Sequence, residues 1–242
     1  MRIDKLECRN FRNYEEVSVE FDKGINLFYG DNAQGKTNLL EAVYICSSTR
    51  SHRGKDAELI RFGCEEAHIR AAVTKNEISH RIDIHYKKNQ KKGAAVDGKS
   101  IQKASELLGY INAVFFSPED LNIIKRGPSE RRRFIDRELC QIDSVYLKDL
   151  SDYNKVLENR NKLLKDISFN KNLLDTLDIW DEQLAEYGKR VIRARERFLK
   201  ETEEIMRPVF KKITGGEEVT IDYLKSSEQD SLLDNIKRNR ER

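Results

Sequence analysis

Proline, methionine, tryptophan and long apolar runs are all scarce in this sequence. It has 3 prolines, 2 methionines and 1 tryptophan in 242 residues. No uninterrupted apolar stretch approaches the ~18 residues that suggest a membrane-spanning helix, and the N-terminus lacks the apolar segment of a secretory signal. We therefore expect a protein without a membrane segment.

Cysteine is also sparse, and its spacing carries no motif. The 4 cysteines include no C-x-x-C pair and are scattered along the chain, at Cys8, Cys46, Cys64 and Cys140. Such spacing is typical of reduced thiols in a cytoplasmic protein. The 4 histidines are not spaced with carboxylates or cysteines as metal ligands would be.

Charge is abundant but nearly balanced. The 45 basic and 42 acidic residues leave a net charge of +3, so net charge alone predicts no strong steering of an anionic partner. The apolar fraction is 38%, yet 10 Phe and 9 Tyr fall into periodic patterns, which argues against disorder. The length suits one large domain or two small ones.

Strand-like patterns dominate the first third of the chain. Alternation and turn residues predict strands over residues 2–11, 16–21, 24–29, 68–74, 79–87 and 94–97. The lysine-rich residues 87–93 predict a hairpin tip, and residues 38–45 form an apolar, helix-like run. Residues 113–116, Ala-Val-Phe-Phe, predict a strand that is buried on both faces.

The periodicity becomes helical from about residue 143. Apolar residues at three- and four-residue steps predict one stripe from Tyr146 to Leu164, which Arg160 interrupts, and a second stripe from Leu177 to Ile205. The short polar segment between them predicts an antiparallel helical hairpin. Pro208 and the Gly-Gly pair at residues 215–216 are expected to end the second helix. Residues 219–224 then suggest a strand, and residues 227–242 suggest a helix.

The clearest motif is a phosphate-binding loop. It matches G-x-x-x-x-G-K-[ST] at every fixed position with Gly30, Asp31, Asn32, Ala33, Gln34, Gly35, Lys36 and Thr37. The glycines let backbone N–H groups turn toward a phosphate, and the following helix adds donors and its positive dipole end. Lys36 is expected to lie between the β- and γ-phosphates of ATP, and the Thr37 hydroxyl is expected to bind Mg²⁺.

The second acidic residue that a P-loop ATPase needs for its Mg²⁺ site is not evident. Ser117 follows the apolar run at residues 113–116, at the position where an acid is expected. Asp222 lies in an alternating segment, which suggests a surface strand rather than a metal ligand. No segment resembles the L-S-G-G-Q signature of ABC ATPases. We therefore assign no catalytic residue.

Several blocks of the sequence resemble the RecF family of SMC-like ABC ATPases. Residues 8–14 read C-R-N-F-R-N-Y, and the loop is followed by N-L-L-E-A at residues 38–42. More specific to the family are F-S-P-E-D-L at residues 116–121 and G-P-S-E-R-R-R-F-I-D at residues 127–136. The resemblance extends over essentially the whole chain, in which a short helical hairpin replaces the long coiled coil of SMC proteins.

The resemblance implies an α/β fold: a P-loop ABC/SMC-like ATPase lobe with a mixed sheet, plus an α-helical hairpin lobe. We place the ATP-binding lobe at residues 1–140 and the hairpin lobe at 141–212. Residues 213–242 are expected to return toward the ATPase lobe. In the family, the ABC signature, the acidic Mg²⁺ residue and the catalytic glutamate lie beyond this point, so we expect a truncated chain that binds ATP, and its hydrolysis stays open.

The resemblance also implies a cytoplasmic DNA repair and recombination protein with roles in replication and the SOS response. Such proteins act at single-strand gaps and ss/dsDNA junctions with RecO and RecR, and they promote the loading of RecA. ATP is implied to close two heads into a homodimer, and hydrolysis to reopen it.

Other interpretations remain open. The chain could be an interaction module that docks RecR through its helical hairpin without needing nucleotide, or another SMC-like ATPase head. The cluster Arg131-Arg132-Arg133, the lysines near residues 87–92 and the basic side chains of residues 189–197 could each contact DNA phosphates. Each of these groups could equally be solvated and paired with nearby acids.

Overall fold

The computed structural model describes residues 1–107, 109–167, 169, 173–225 and 232–240. The chain divides into two compact units, Met1–Lys125 and Arg126–Arg242. None of the described helices is long and apolar enough to cross a membrane. Cys8 and Cys46 are buried, and Cys64 and Cys140 are partly exposed.

The first unit is built on a six-stranded sheet. Its strands, in chain order, are β1 (Arg2–Phe11), β2 (Tyr14–Glu20), β3 (Glu66–Lys75), β4 (Ile78–Lys87), β5 (Gly93–Val96) and β6 (Lys99–Ile101). The spatial order is β2-β1-β3-β4-β5-β6, and each neighbouring pair is antiparallel. The strands predicted over residues 2–11, 16–21, 68–74, 79–87 and 94–97 therefore form, and β6 is an addition that its short sequence did not reveal.

One face of this sheet carries the core of the first unit. Alternate side chains of β1, β3 and β4, such as Leu6, Ile69 and Ile84, are fully buried against the helix α1 (Lys36–Ser48). Each such side chain contributes roughly 1.5–3 kcal/mol when it leaves water. The apolar run predicted to be helical thus forms α1, which packs on this face of the sheet. The predicted phosphate loop comes directly before α1 in the chain.

Two predicted strands of the first unit are wrong. Residues 25–29 are assigned to no strand, and Ile25, Leu27 and Tyr29 are 98%, 80% and 88% exposed. Residues 113–116 are likewise not a strand, and Val114 and Phe116 are exposed rather than buried on both faces. A strand needs a neighbour for its backbone groups, and no strand among the described residues pairs with either segment.

The short helix α2 (Asn122–Lys125) ends the first unit. The second unit is helical and begins with α3 (Pro128–Ile142). The hairpin consists of α4 (Ser144–Ile167) and α5 (Leu174–Thr214), and α6 (Leu232–Arg238) packs against α5. The two apolar stripes meet as predicted: Tyr146 and Val191 are buried in one cluster, with Leu150 and Phe198 packed around it.

The end of α5 differs from the expectation. The helix continues through Pro208 to Thr214 and stops at Gly215, whose φ of +77° favours glycine. Proline removes only one N–H donor from the ladder, and the turns on either side keep theirs. Residues 219–224 are not a strand, and Asp222 is exposed. Part of the helix predicted over 227–242 is confirmed as α6, while residues 226–231 and 241–242 lie outside the described part of the chain.

Candidate nucleotide-binding site

The predicted phosphate loop precedes α1 as a turn with unusual backbone angles. Gly30 and Gly35 have φ values of +139° and +101°, and Ala33 between them has +65°. Helix α1 begins at Lys36, and its first internal bond runs from the Leu39 N–H to the Gly35 carbonyl at 3.0 Å. The N–H groups of Lys36, Thr37 and Asn38 precede that bond, so they point out of the helix end and can receive an anion.

The side chains of the loop face solvent around this end. Asp31, Asn32, Ala33, Gln34 and Thr37 are exposed, while Gly35 is buried. The Lys36 ammonium folds back over the loop and donates to the carbonyl oxygens of Gly30 at 2.7 Å and Asp31 at 2.6 Å. The loop therefore brings all eight predicted residues together, with a positive charge over its opening.

Gly35 cannot carry a side chain in this conformation. A Cβ at this position would lie 2.7 Å from the Tyr14 hydroxyl and 2.8 Å from the Asn13 amide. Both residues belong to the β1–β2 hairpin, whose turn rests directly on the loop. The second glycine of the motif is required both by its positive φ and by this close approach.

A buried carboxylate that sequence reasoning missed lies one turn further along α1. Glu41 is fully buried, and it accepts hydrogen bonds from Arg12 Nε at 2.9 Å and Nη2 at 2.8 Å. Arg53 Nη2 donates to it at 2.6 Å and the Ser51 hydroxyl at 2.5 Å. Burial alone would raise the pKa of Glu41, but these hydrogen bonds outweigh it and lower the pKa to about 2.

This cluster brings two guanidinium groups to the helix that carries the loop. Arg12 has a φ of +53°, a conformation that costs a non-glycine residue roughly 1–2 kcal/mol and that its charge-assisted bonds to Glu41 offset. Arg53 also donates to Asn38 at 2.7 Å, in the first turn of α1. The one signal in the sequence was a glutamate within an otherwise apolar helical run.

The remaining basic residues differ in their surroundings. Arg195 is bound to Asp136 at 2.8 and 2.9 Å inside the helical unit, so it holds that unit together. Arg131, Arg132 and Arg133 are exposed on α3, and Arg133 pairs with Glu130 at 3.0 Å. Near the β4–β5 hairpin, Lys88 pairs with Glu65 at 2.8 Å, and Lys92 binds the Thr49 carbonyl.

Ser117 occupies the position where the second acid of the Mg²⁺ site is expected, and its contacts are local. Ser117 is buried, and its N–H donates to Asp120 Oδ2 at 2.7 Å. This contact is local and joins the residue before the 3-10 helix Pro118–Leu121 to a side chain within it. Among the residues that the structure describes, no three His, Cys, Asp or Glu side chains cluster as metal ligands do.

An α/β unit whose glycine-rich loop opens at the N-terminus of a sheet-covering helix belongs to the P-loop nucleotide-binding class. The AAA domain family matches residues 5–241. The chain is 53% identical to the DNA replication and repair protein RecF of Lachnoclostridium phytofermentans, over all of this chain and 68% of that protein. It is 56% identical to the RecF of Agathobacter rectalis, over 91% of this chain and 61% of that protein.

Solved structures give the same result. The recombination mediator protein RecF with ATPrS, in the RecFOR pathway, matches with a TM-score of 0.89 and 39% identity, over 98% of this chain and 66% of that one. RecF with ATP matches with the same TM-score and 37% identity. The chain belongs to the RecF family, and it spans about two thirds of the length of these relatives. The expected α/β class is thereby confirmed.

Proposed function

We propose that this chain binds Mg²⁺·ATP at residues 30–37, as the nucleotide-binding part of a cytoplasmic RecF-type DNA repair and recombination protein. The observation that carries this proposal is the loop itself. Its positive-φ glycines, the outward N–H groups at the start of α1 and the Lys36 ammonium surround one opening. These groups suit a polyphosphate, which offers several anionic acceptors to donors in a small space.

Each residue of the loop has a defined task in this proposal. The N–H groups that precede the first bond of α1 hold the phosphates, and Lys36 exchanges its two carbonyl partners for phosphate oxygens. The exposed Thr37 hydroxyl is the protein ligand that fits Mg²⁺, an ion that usually takes only one or two protein ligands besides phosphates and water. The metal neutralises phosphate charge when it is bound.

The test is a calorimetric titration of Mg²⁺·ATP into the chain, with phosphate release followed in the same sample. Lys36→Ala is expected to weaken binding at least tenfold, because a charge-assisted contact contributes about 1.5–3 kcal/mol. Its thermal unfolding is expected to stay unchanged, since the Lys36 ammonium donates to two carbonyls of the exposed loop. Lys91→Ala, at an exposed position of the β4–β5 hairpin, is the matched control. Equal affinities for Lys36→Ala and the unchanged chain would refute the role of Lys36.

We further propose, from family membership, that the whole protein engages DNA at gaps and ss/dsDNA junctions with RecO and RecR, and forms an ATP-dependent homodimer. The exposed arginines Arg131 and Arg132 offer positive charge for phosphate contacts. Binding of a gapped duplex is expected to fall steeply with salt and to weaken in Arg131→Ala/Arg132→Ala. Sedimentation with and without ATP tests the dimer, and salt-independent DNA binding would argue against the phosphate contacts.

A further inference from the structure

A chain of hydrogen bonds connects the phosphate loop to Arg53 through two asparagines. Arg53 Nη2 donates to Asn38 Oδ1 at 2.7 Å, and Asn38 Nδ2 donates to Asn13 Oδ1 at 2.7 Å. Asn13 Nδ2 then donates to the Gln34 carbonyl at 3.4 Å. Arginine can only donate and a carbonyl can only accept, so both ends of the chain require the same orientation of the two amides.

The last link acts on a peptide unit inside the loop. The Gln34 carbonyl and the Gly35 N–H belong to one planar trans peptide, so they point in opposite directions. When Asn13 holds the carbonyl on the side of the β1–β2 turn, the Gly35 N–H faces the other way. Contact with the turn is tight, because the Asn13 amide lies 2.8 Å from the site of a Gly35 Cβ.

Gly35 itself would not keep this peptide in place. Its φ of +101° lies in a region open to glycine, whose backbone crosses between conformations with little steric resistance. An external contact is therefore needed to select one orientation of the peptide. Asn13 is suited to this task because its own position is determined by the β1–β2 hairpin and by Asn38.

We infer that Asn13 is a positioning residue of the phosphate loop: it holds the Gln34 carbonyl and so directs the Gly35 N–H toward a bound phosphate. The inference rests on the proposed function, for which it names a residue outside the P-loop motif. Asn38 supports Asn13 from the other side, and the Arg53–Glu41 pair anchors the chain of bonds.

The experiment compares Asn13→Ala, Asn38→Ala and the control Asn112→Ala, at an exposed residue whose backbone N–H donates to the Met1 sulfur. Asn13→Ala is expected to weaken Mg²⁺·ATP binding about three- to tenfold, which is the range for one hydrogen bond. Asn38→Ala is expected to weaken it less, and Asn112→Ala to leave it unchanged. Thermal unfolding of all three is expected to match that of the unchanged chain.

A second readout distinguishes positioning from a general loosening of the loop. In ¹⁵N-labelled protein, the Gly35 amide resonance is expected to shift on addition of Mg²⁺·ATP, and this shift is expected to shrink in Asn13→Ala. An affinity of Asn13→Ala equal to that of Asn112→Ala would overturn the inference, and so would weaker binding with an unchanged Gly35 shift. If the unchanged chain binds no ATP, the proposed function fails. The direction of the Gly35 N–H in the nucleotide-free chain, read from residual dipolar couplings, still tests Asn13.

Discussion

Two fully buried carboxylates, one in each unit, bind a pair of arginines in the same way. In the first unit, Glu41 on α1 accepts from Arg12 and Arg53. In the second, Asp181 on α5 accepts from Arg160 at 2.5 Å and from Arg240 at 2.6 Å. Both carboxylates have 0% of their surface exposed, so both sites depend on charge pairing away from water.

The surroundings of the two carboxylates differ. The arginines of Glu41 come from segments that border the phosphate loop, and Arg53 also binds Asn38 in the first turn of α1. The arginines of Asp181 come from α4 and from the residues after α6, and Arg160 also donates to the Ile236 carbonyl of α6 at 3.3 Å. One carboxylate therefore organises the residues around a candidate ligand site, whereas the other joins three helices. The two carboxylates have different roles because their arginines make different second contacts, with Asn38 in one case and with α6 in the other.

The sharpest way to break this comparison is to remove each carboxylate in turn. Glu41→Ala and Asp181→Ala are each expected to lower the free energy of unfolding by about 3–5 kcal/mol, because each removes the fully buried carboxylate that two partly buried arginines share. Only Glu41→Ala is expected to weaken Mg²⁺·ATP binding as well. Urea unfolding followed by circular dichroism and a calorimetric titration measure the two effects. Trp180, the neighbour of Asp181 and the only tryptophan, reports on the helical unit.

The volume-conserving variants Glu41→Gln and Asp181→Asn serve as controls for cavity formation. An equal loss of nucleotide affinity in Asp181→Ala and Glu41→Ala would contradict the separate roles described above.

The second test concerns the contact between the β1–β2 turn and the loop. Gly35→Ala is expected to destabilise the protein by about 2–4 kcal/mol, since it combines a strained positive φ with a Cβ 2.7 Å from the Tyr14 hydroxyl. Gly63 has a φ of +83°, but a Cβ added there would have nothing within 4 Å. Gly63→Ala is therefore expected to lose only the stability that backbone strain costs, about 1–2 kcal/mol. Thermal unfolding compares the stability of the two variants. Equal losses of stability would mean that the β1–β2 turn moves away from the new Cβ at little cost.

A third test sharpens the comparison through pH. The pKa of Glu41 lies at about 2 in the folded protein, below its ordinary value of 4.5. Its ionised form therefore stabilises the fold fully above about pH 4.5, and this contribution is lost as the pH falls toward about 2. The difference in unfolding free energy between the unchanged chain and Glu41→Gln is expected to shrink by about 2–3 kcal/mol over that range.

Acid unfolding at a series of pH values measures that difference, and Glu16→Gln, exposed on β2, is the control. A difference that stays constant from neutral pH to about pH 2 would show that Glu41 is not the titrating group.

The accuracy of sequence-based prediction depended on how local each feature was. The alternation in β3 and β4 was read correctly, since residues such as Ile69 and Ile84 show their buried face in the sequence itself. Residues 25–29 have a similar apolar pattern but no strand partner among the described residues. A strand needs a neighbour that is distant in sequence, and local patterns carry no information about whether it is present.

The candidate site shows the same division. Gly30, Gly35 and Lys36 are contiguous, and the spacing of their motif reflects the conformation that phosphate binding requires. Arg160 interrupts an apolar stripe, and the structure explains the interruption by its buried pair with Asp181. The division into an ATP-binding lobe at residues 1–140, a hairpin lobe at 141–212 and a returning segment at 213–242 stays a prediction.

The sequence alone determined the P-loop motif, the amphipathic helices and most strands, because each depends on neighbours within a few positions of the chain. Only the tertiary structure brought Arg12, Asn13, Glu41 and Arg53 together around that loop. Their contacts arise where a hairpin turn, a helix and the segment after it meet. Hydrogen bonds of this kind depend on distances in space, which the order of residues does not state.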